Sequence, residues 1–264
     1  MLGAIVGDIV GSRFEFNNWQ GGKGFKLFND HYSSITDDTI CTVAIADAIL
    51  SRTSYKESLL KWCRKYPQPM GGYGVSFAAW LRSEDPQPYY SFGNGAAMRV
   101  SPVAWAFADR NEVLREAERT ASVSHDHPEG IKGAQAVAYA IWYIRQFGFG
   151  KEQRELLFKY IAKDFYPGWQ RKEYPAGVFD ESCQGTVPVA FQIIKRSYSF
   201  EDAIREAICW GGDSDTLGAI VGSIAEAIWG VPVEIANKAL VYLPEEMRNV
   251  LELFQYEYQN RFNI

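Results

Sequence analysis

The pentapeptide Gly-Ala-Ile-Val-Gly occurs twice, as Gly3–Gly7 near the start of the chain and as Gly218–Gly222 near its end. In a helix each copy puts two glycines one turn apart on one face, and Gly11 extends the first row. Glycine inside a helix costs up to about 1 kcal/mol per position relative to alanine. Its repeated use at helical spacing calls for compensation, and the missing Cβ permits one: close approach of two backbones. The repeat predicts that a helix from the N-terminal end packs tightly on one from the C-terminal end.

The rest of the chain reads as helices. Thr39–Ser51 and Leu217–Gly230 are apolar nearly all round, as central helices are, and Ala134–Phe147 is similar. Asn111–Ser122 and Phe200–Trp210 alternate at the 3.6-residue period and belong on the outside, the second with Ser199 as its N-cap. Val75–Leu81 and Ala96–Phe107 read as further helices, and Pro232–Leu243 and Glu245–Phe262 as two closing ones. No alternating run long enough for a strand appears. Three loops, Arg13–Ser34, Tyr66–Tyr73 and Lys163–Ser182, are rich in Gly, Pro and aromatic residues, but none has the composition of a linker. The expectation is an all-α fold: one compact, orthogonal multi-helix bundle, with residues 1–264 as a single domain.

Apolar residues make up 47% of the 264, enough for a substantial core. A net charge of −5 without a dense Lys/Arg cluster argues against nucleic acid or an anionic membrane as partner. Asp8, Asp47 and Glu226 interrupt the longest apolar runs, so no membrane span is expected. The N-terminus lacks the basic start of a signal peptide. Cys41, Cys63, Cys183 and Cys209 are widely spaced without CxxC pairing, as reduced thiols of a cytoplasmic protein would be.

Two acidic clusters open apolar helices: Thr36-Asp37-Asp38-Thr39 and Gly211-Gly212-Asp213-Ser214-Asp215-Thr216. Either alone reads as an N-cap. A cap needs one acceptor, however, and each cluster supplies two carboxylates and a threonine. Acids crowded at the ends of buried helices repel and are desolvated, at a cost of several kcal/mol that a cation would remove. Hard oxygen donors in this number suit Mg²⁺, Mn²⁺ or Ca²⁺ rather than zinc. The helix dipoles do not favour a cation, so the carboxylates must do the attracting. Glu15 is a candidate fifth acid, or else a solvated loop residue. With five carboxylates, two divalent ions balance the charge better than one.

Gly71-Gly72-Tyr73-Gly74 and Ser91-Phe92-Gly93-Asn94-Gly95 each precede a helical stretch, where exposed backbone N–H groups can cradle phosphate. Tight turns use the same residues, and neither loop is a Walker A or a dinucleotide fingerprint. Their occurrence beside an acidic site points to a diphosphate-containing substrate. In Ser124-His125-Asp126-His127-Pro128, His127 marks a helix boundary. His125 is either a ligand contact for a ribose hydroxyl or phosphate, or a plain loop histidine.

Together these residues resemble the ADP-ribosylglycohydrolase family, which includes the dinitrogenase-reductase-activating glycohydrolase and the ADP-ribosylarginine and ADP-ribosylserine hydrolases. Five blocks carry the resemblance in order: GDIVGSRFE (Gly7–Glu15), TDDT (Thr36–Thr39), GNGAAMRVSP (Gly93–Pro102), SHDHP (Ser124–Pro128) and GGDSDTLGAIVG (Gly211–Gly222). The resemblance implies an all-α fold and a centre of two Mg²⁺ or Mn²⁺ ions held by Thr36, Asp37, Asp38, Asp213, Asp215 and Thr216. It implies catalytic roles for Glu15, Asp38 and Asp213, with Glu15 or a metal-bound Asp as general base. It implies substrate contacts from Gly72, Tyr73, Gly74, Ser91, Phe92, Gly93, Asn94 and His125. The implied reaction is hydrolysis of the bond between ADP-ribose and a protein side chain, arginine favoured, by a monomer. Rival readings are a hydrolase of a free ADP-ribose derivative such as O-acetyl-ADP-ribose, and a non-catalytic ADP-ribose-binding or structural member of the kind found in the lens. A closed, aromatic pocket around Trp19, Phe25 or Trp169 would favour a small ligand; an open acceptor side would favour protein.

Overall fold

A computed structural model describes residues 1–259. In chain order its α-helices begin with α1 (Leu2–Gly11), α2 (Asp37–Ser51), α3 (Tyr55–Lys65), α4 (Val75–Arg82), α5 (Gly95–Met98), α6 (Ser101–Ala106) and α7 (Arg110–Ser122). They continue with α8 (Pro128–Phe147), α9 (Lys151–Tyr160), α10 (Cys183–Arg196), α11 (Phe200–Trp210), α12 (Ser214–Trp229), α13 (Val233–Leu240) and α14 (Glu245–Phe254). No strand occurs among the described residues; the one extended pairing is an isolated bridge between Gly93 and Ser182. The fold is all-α, as expected.

Every residue of α1 is buried, as is α12 from Ser214 to Glu226. The two lie against each other along the glycine row. A Cβ on Gly218 would stand 2.6 Å from the carbonyl oxygen of Gly7, and one on Gly3 would stand 3.0 Å from the carbonyl carbon of Gly222. At the far end a Cβ on Gly11 would meet the Cα of Asp215 at 2.5 Å. The repeat thus does more than join the chain ends. It runs straight into the second acidic cluster and sets how near that cluster comes to α1.

Around this pair the buried apolar residues form one contiguous cluster extending to Phe254. The central stretch of α8 is buried throughout from Ala136 to Ile144, whereas α7 buries only the stripe of Val113, Glu116, Ala117, Thr120 and Ala121. Ser199 caps α11 by accepting from the Asp202 amide at 3.1 Å.

Several boundaries differ from expectation. The helix expected over Ala96–Phe107 is two, α5 and α6, because Pro102 lacks an N–H and its ring would collide with the carbonyl of Met98. Pro102 instead occupies the first turn of α6, where its geometry is favoured. The final helix leaves α geometry after Phe254 for a π turn over Gln255–Gln259, and Phe262, its expected end, lies outside the described residues. The loop expected from Lys163 begins with a π turn over Ile161–Phe165. Helices α3, α9 and α10 were not anticipated, the last because Pro188 lies inside it. No helix among the described residues is long and apolar enough to cross a membrane.

Candidate active site

The two acidic clusters meet. Thr36 caps α2, accepting from the Asp38 amide at 3.2 Å, and Asp213 stands at the N-cap position of α12. The Thr216 hydroxyl then donates to Asp38 Oδ2 at 3.1 Å, joining one helix N-terminus to the other. Gly211 and Gly212, with φ of 74° and 84°, deliver the chain into α12 through backbone that side chains avoid. A Cβ on Gly212 would also press on the Val178 carbonyl.

Asp8 was not foreseen as part of this site. It comes from α1, is fully buried, and its carboxylate accepts from the Thr36 amide at 3.1 Å, the Thr36 hydroxyl at 2.8 Å, the Thr39 amide at 3.0 Å and the Thr39 hydroxyl. These four donors make Asp8 the anchor of the α2 N-terminus. The available signal was an acid inside an otherwise wholly apolar helix, one turn after Ala4 and one before Gly11.

Glu15 follows a short 3₁₀ turn, Ser12–Phe14, that extends α1. Its carboxylate lies under Gly71, whose φ of 77° and missing Cβ make room for it. None of Asp8, Glu15, Asp37, Asp38, Asp213 or Asp215 has a Lys or Arg partner among the described residues. Glu15 Oε2, Asp38 Oδ1 and Asp215 Oδ1 are buried without any hydrogen-bond partner. Burial, and then repulsion among the acids themselves, pushes Asp37, Asp38 and Asp215 well above the usual carboxylate range. Burial raises Glu15 to about 7, with Asp213 adding to it. Burial also raises Asp8 to about 6, against the opposing hydrogen bonds from Thr39 and Thr36, and raises Asp213 against those from Asn94 and Thr216. An acid cluster this poorly compensated by the protein has the donor chemistry of a hard-cation site. As they stand, no three Asp, Glu, His or Cys side chains among the described residues are arranged to hold one ion.

The cluster forms part of the wall of a cavity of about 1010 Å³. Glu15, Asp37, Asp213, Asp215 and Thr216 line it, with both glycine loops and His125. The Ser91–Gly95 turn is held twice: Asn94 N–H donates to the Glu181 carbonyl at 2.6 Å, and Cys183 N–H to the Phe92 carbonyl at 2.9 Å. Ser91 Oγ accepts from Gly93 N–H at 3.0 Å. Phe92 is half-exposed at the cavity edge. The mouth also carries Phe16 stacked on Phe179, with ring centroids 5.7 Å apart.

Comparison with known proteins gives the family. The sequence profile of the ADP-ribosylglycohydrolases matches residues 1–260. The chain belongs to the ADP-ribosylglycohydrolase family. Among its relatives, the ADP-ribosylarginine hydrolase Tri1 of Serratia proteamaculans is 23% identical over 87% of this chain and 70% of its own. The ADP-ribosylhydrolase ARH3 of Danio rerio is 24% identical over 88% and 82%, respectively. A solved structure titled as an ADP-ribosylglycohydrolase-related protein complex superposes with a TM-score of 0.75 at 24% identity, covering 97% of this chain and 96% of that one. At that identity the likeness speaks for the fold.

Within this ADP-ribosylglycohydrolase, some expected substrate contacts have their polar groups engaged elsewhere. The Asn94 amide donates to Asp213 Oδ2 at 2.6 Å and to Thr186 Oγ1 at 3.1 Å. The Tyr73 hydroxyl donates to the Tyr66 carbonyl at 2.8 Å, leaving its ring as cavity wall beside Gly72 and Gly74. His127 caps α8, its Nδ1 accepting from the Glu129 amide at 3.0 Å, and its ring packs against Tyr90. His125 is buried, and burial together with the nearby Arg99 guanidinium pushes its pKa far below the usual imidazole value. It is a neutral ring.

Proposed function

We propose that this protein is a metal-dependent hydrolase that cleaves the glycosidic bond between ADP-ribose and a modified protein side chain, with arginine as the favoured acceptor. The observation that carries this reading is the meeting of two uncompensated acid clusters, bridged by Thr216 and Asp38, in the wall of a cavity built from two glycine-rich turns. Family membership supports the reaction class, and the name of the Serratia relative supports arginine.

Thr36, Asp37, Asp38, Asp213, Asp215 and Thr216 would hold two divalent ions, Mg²⁺ or Mn²⁺, which when bound supply Lewis acidity toward ribose hydroxyls and water. The chain's own residues do the rest. Backbone N–H groups of the Gly71–Gly74 and Ser91–Gly95 turns other than those of Gly72, Gly93 and Asn94, which the protein itself engages, receive the diphosphate, while Phe92 offers its ring to the ligand. Asn94 holds Asp213 in place. Asp38 and Asp213 oppose the positive charge that develops on the sugar ring as the bond breaks. Glu15, with an unpartnered oxygen in the wall, takes the proton of the attacking water.

The mouth supports a protein substrate. Phe25 and Trp169 are buried in the core and Trp19 lines a different cavity, so none closes a small-ligand pocket around this site. The test is release of ADP-ribose from ADP-ribosylated arginine and serine peptides, in Mg²⁺ and in EDTA. Release from the arginine peptide in Mg²⁺ alone is expected. Release from neither peptide, while ADP-ribose still raises the melting temperature, would refute cleavage at these side chains and point to a different scissile group or to a binding protein.

A further inference from the structure

Resting on that reading, we propose that Arg99 and Ser124 are positioning residues that fix His125 as the tautomer protonated at Nε2, so that the ring presents one N–H to an oxygen of the bound ADP-ribosyl group. The argument starts with Arg99. It is almost fully buried, has no carboxylate partner among the described residues, and donates from one nitrogen to the Thr120 carbonyl and to Ser124 Oγ, each at 2.9 Å. Ser124 is fully buried, and its Oγ lies 2.8 Å from His125 Nδ1.

A serine hydroxyl has one hydrogen to give. With the Arg99 N–H already directed at its oxygen, Ser124 satisfies that hydrogen only by donating it to Nδ1. The opposite tautomer would aim a second donor at the same oxygen and strand the buried hydroxyl hydrogen, which costs about 1–3 kcal/mol. Nδ1 is therefore the acceptor, and in a neutral ring Nε2 carries the proton.

Nε2 has no protein acceptor among the described residues. It faces the Ser91–Gly95 turn, where a Cβ on Gly95 would stand 3.0 Å from it and one on Gly93 3.3 Å. Two glycines thus leave uncovered a donor that a side chain would crowd, and His125, Gly93 and Gly95 all line the same cavity. Phe77 and Tyr89, with ring centroids 6.4 Å and 5.6 Å from that of His125, flank the imidazole. The unpaired Arg99 guanidinium lines the cavity as well and adds attraction for an anionic ligand.

Long-range ¹H–¹⁵N correlation spectra of the free protein read the tautomer directly, since the chain has only three histidines and a His125→Asn variant identifies the resonances. The expected result is Nε2 protonated and Nδ1 hydrogen-bonded without a proton. A ring protonated at Nδ1 overturns the proposal. In Ser124→Ala the Nδ1 resonance is expected to leave its hydrogen-bonded position, and the Kd for ADP-ribose to rise about tenfold. A shifted Nδ1 with unchanged Kd overturns the ligand-binding half. Failure of ADP-ribose to bind the unaltered protein would instead refute the proposed function, and the tautomer measurement would stand apart from it.

Discussion

Replacing Gly218 with alanine tests the link between the sequence repeat and the core. The new Cβ would stand 2.6 Å from the Gly7 carbonyl oxygen and 3.0 Å from its carbon. Ordinary contact requires about 3.4 Å, so α1 and α12 must separate by roughly 0.8 Å. Neither atom is the end of a flexible side chain, so rotamer changes cannot absorb the clash. A gap of that size forfeits about a quarter to a half of the dispersion attraction between side chains across it. The buried flanks, Ile5, Val6, Ile9, Leu217, Ile220 and Val221, all lose contact together. Overpacking of this kind costs about 1–3 kcal/mol, and movement forced on backbone belongs near the top of that range. Alanine returns about 1 kcal/mol through helix propensity. The net expectation is a loss of about 2 kcal/mol. With a urea m-value of ~3 kcal/mol/M, the unfolding midpoint falls by about 0.7 M with m unchanged. Gly22→Ala is the control, because nothing lies within 4 Å of a Cβ there, and its stability stays within about 0.5 kcal/mol of the parent. A Gly218→Ala protein as stable as the parent would refute close backbone packing as the reason for the repeat.

Three other outcomes follow from the site. Asp38→Ala and Asp213→Ala are each expected to lower ADP-ribose release by at least about 1000-fold and to abolish the rise in melting temperature on adding Mg²⁺, while circular dichroism still shows a folded protein; near-normal turnover in either would remove it from the site. Asp8→Asn puts an amide N–H against groups that are all donors, so thermal stability should drop by about 2 kcal/mol even in EDTA, where a purely metal-related role would show no loss. The acids also set a pH dependence: Asp37, Asp38, Asp215 and Glu15 hold protons more tightly folded than unfolded, so the unfolded chain ionises first. Metal-free protein should therefore lose stability as pH rises from about 4 through about 7, and saturating Mg²⁺ should flatten or reverse that slope; a metal-free melting temperature that climbs over the same range would contradict the burial of these charges.

Much of this architecture is legible in the residues because burial leaves strong marks. Glycines at i and i+4 in both copies of the pentapeptide have few uses other than close packing, and the structure puts them face to face. Acids opening wholly apolar helices are similarly conspicuous, and Thr216 and Asp38 do meet. What escapes the sequence depends on partners distant in the chain. Asp8 resembles a stray acid until α2 is brought to it, and the bond from the Asn94 amide to Asp213 is visible only once α12 is in place. His125 and His127 sit in the same pentapeptide, yet one caps α8 and the other faces the cavity, a division set by Ser124 and the Glu129 amide. Helices α9 and α10 were missed for local reasons. The first buries only Leu157 and Phe158, and the second carries an internal proline that its packing tolerates.

The central claim is that the acids joining α2 to α12 hold two divalent ions. Anomalous diffraction from crystals soaked in Mn²⁺ tests it most directly. The account predicts two peaks, bounded by the oxygens of Thr36, Asp37, Asp38, Asp213, Asp215 and Thr216. Crystals that remain ordered yet show no peak there, in a protein that still releases ADP-ribose, would contradict it.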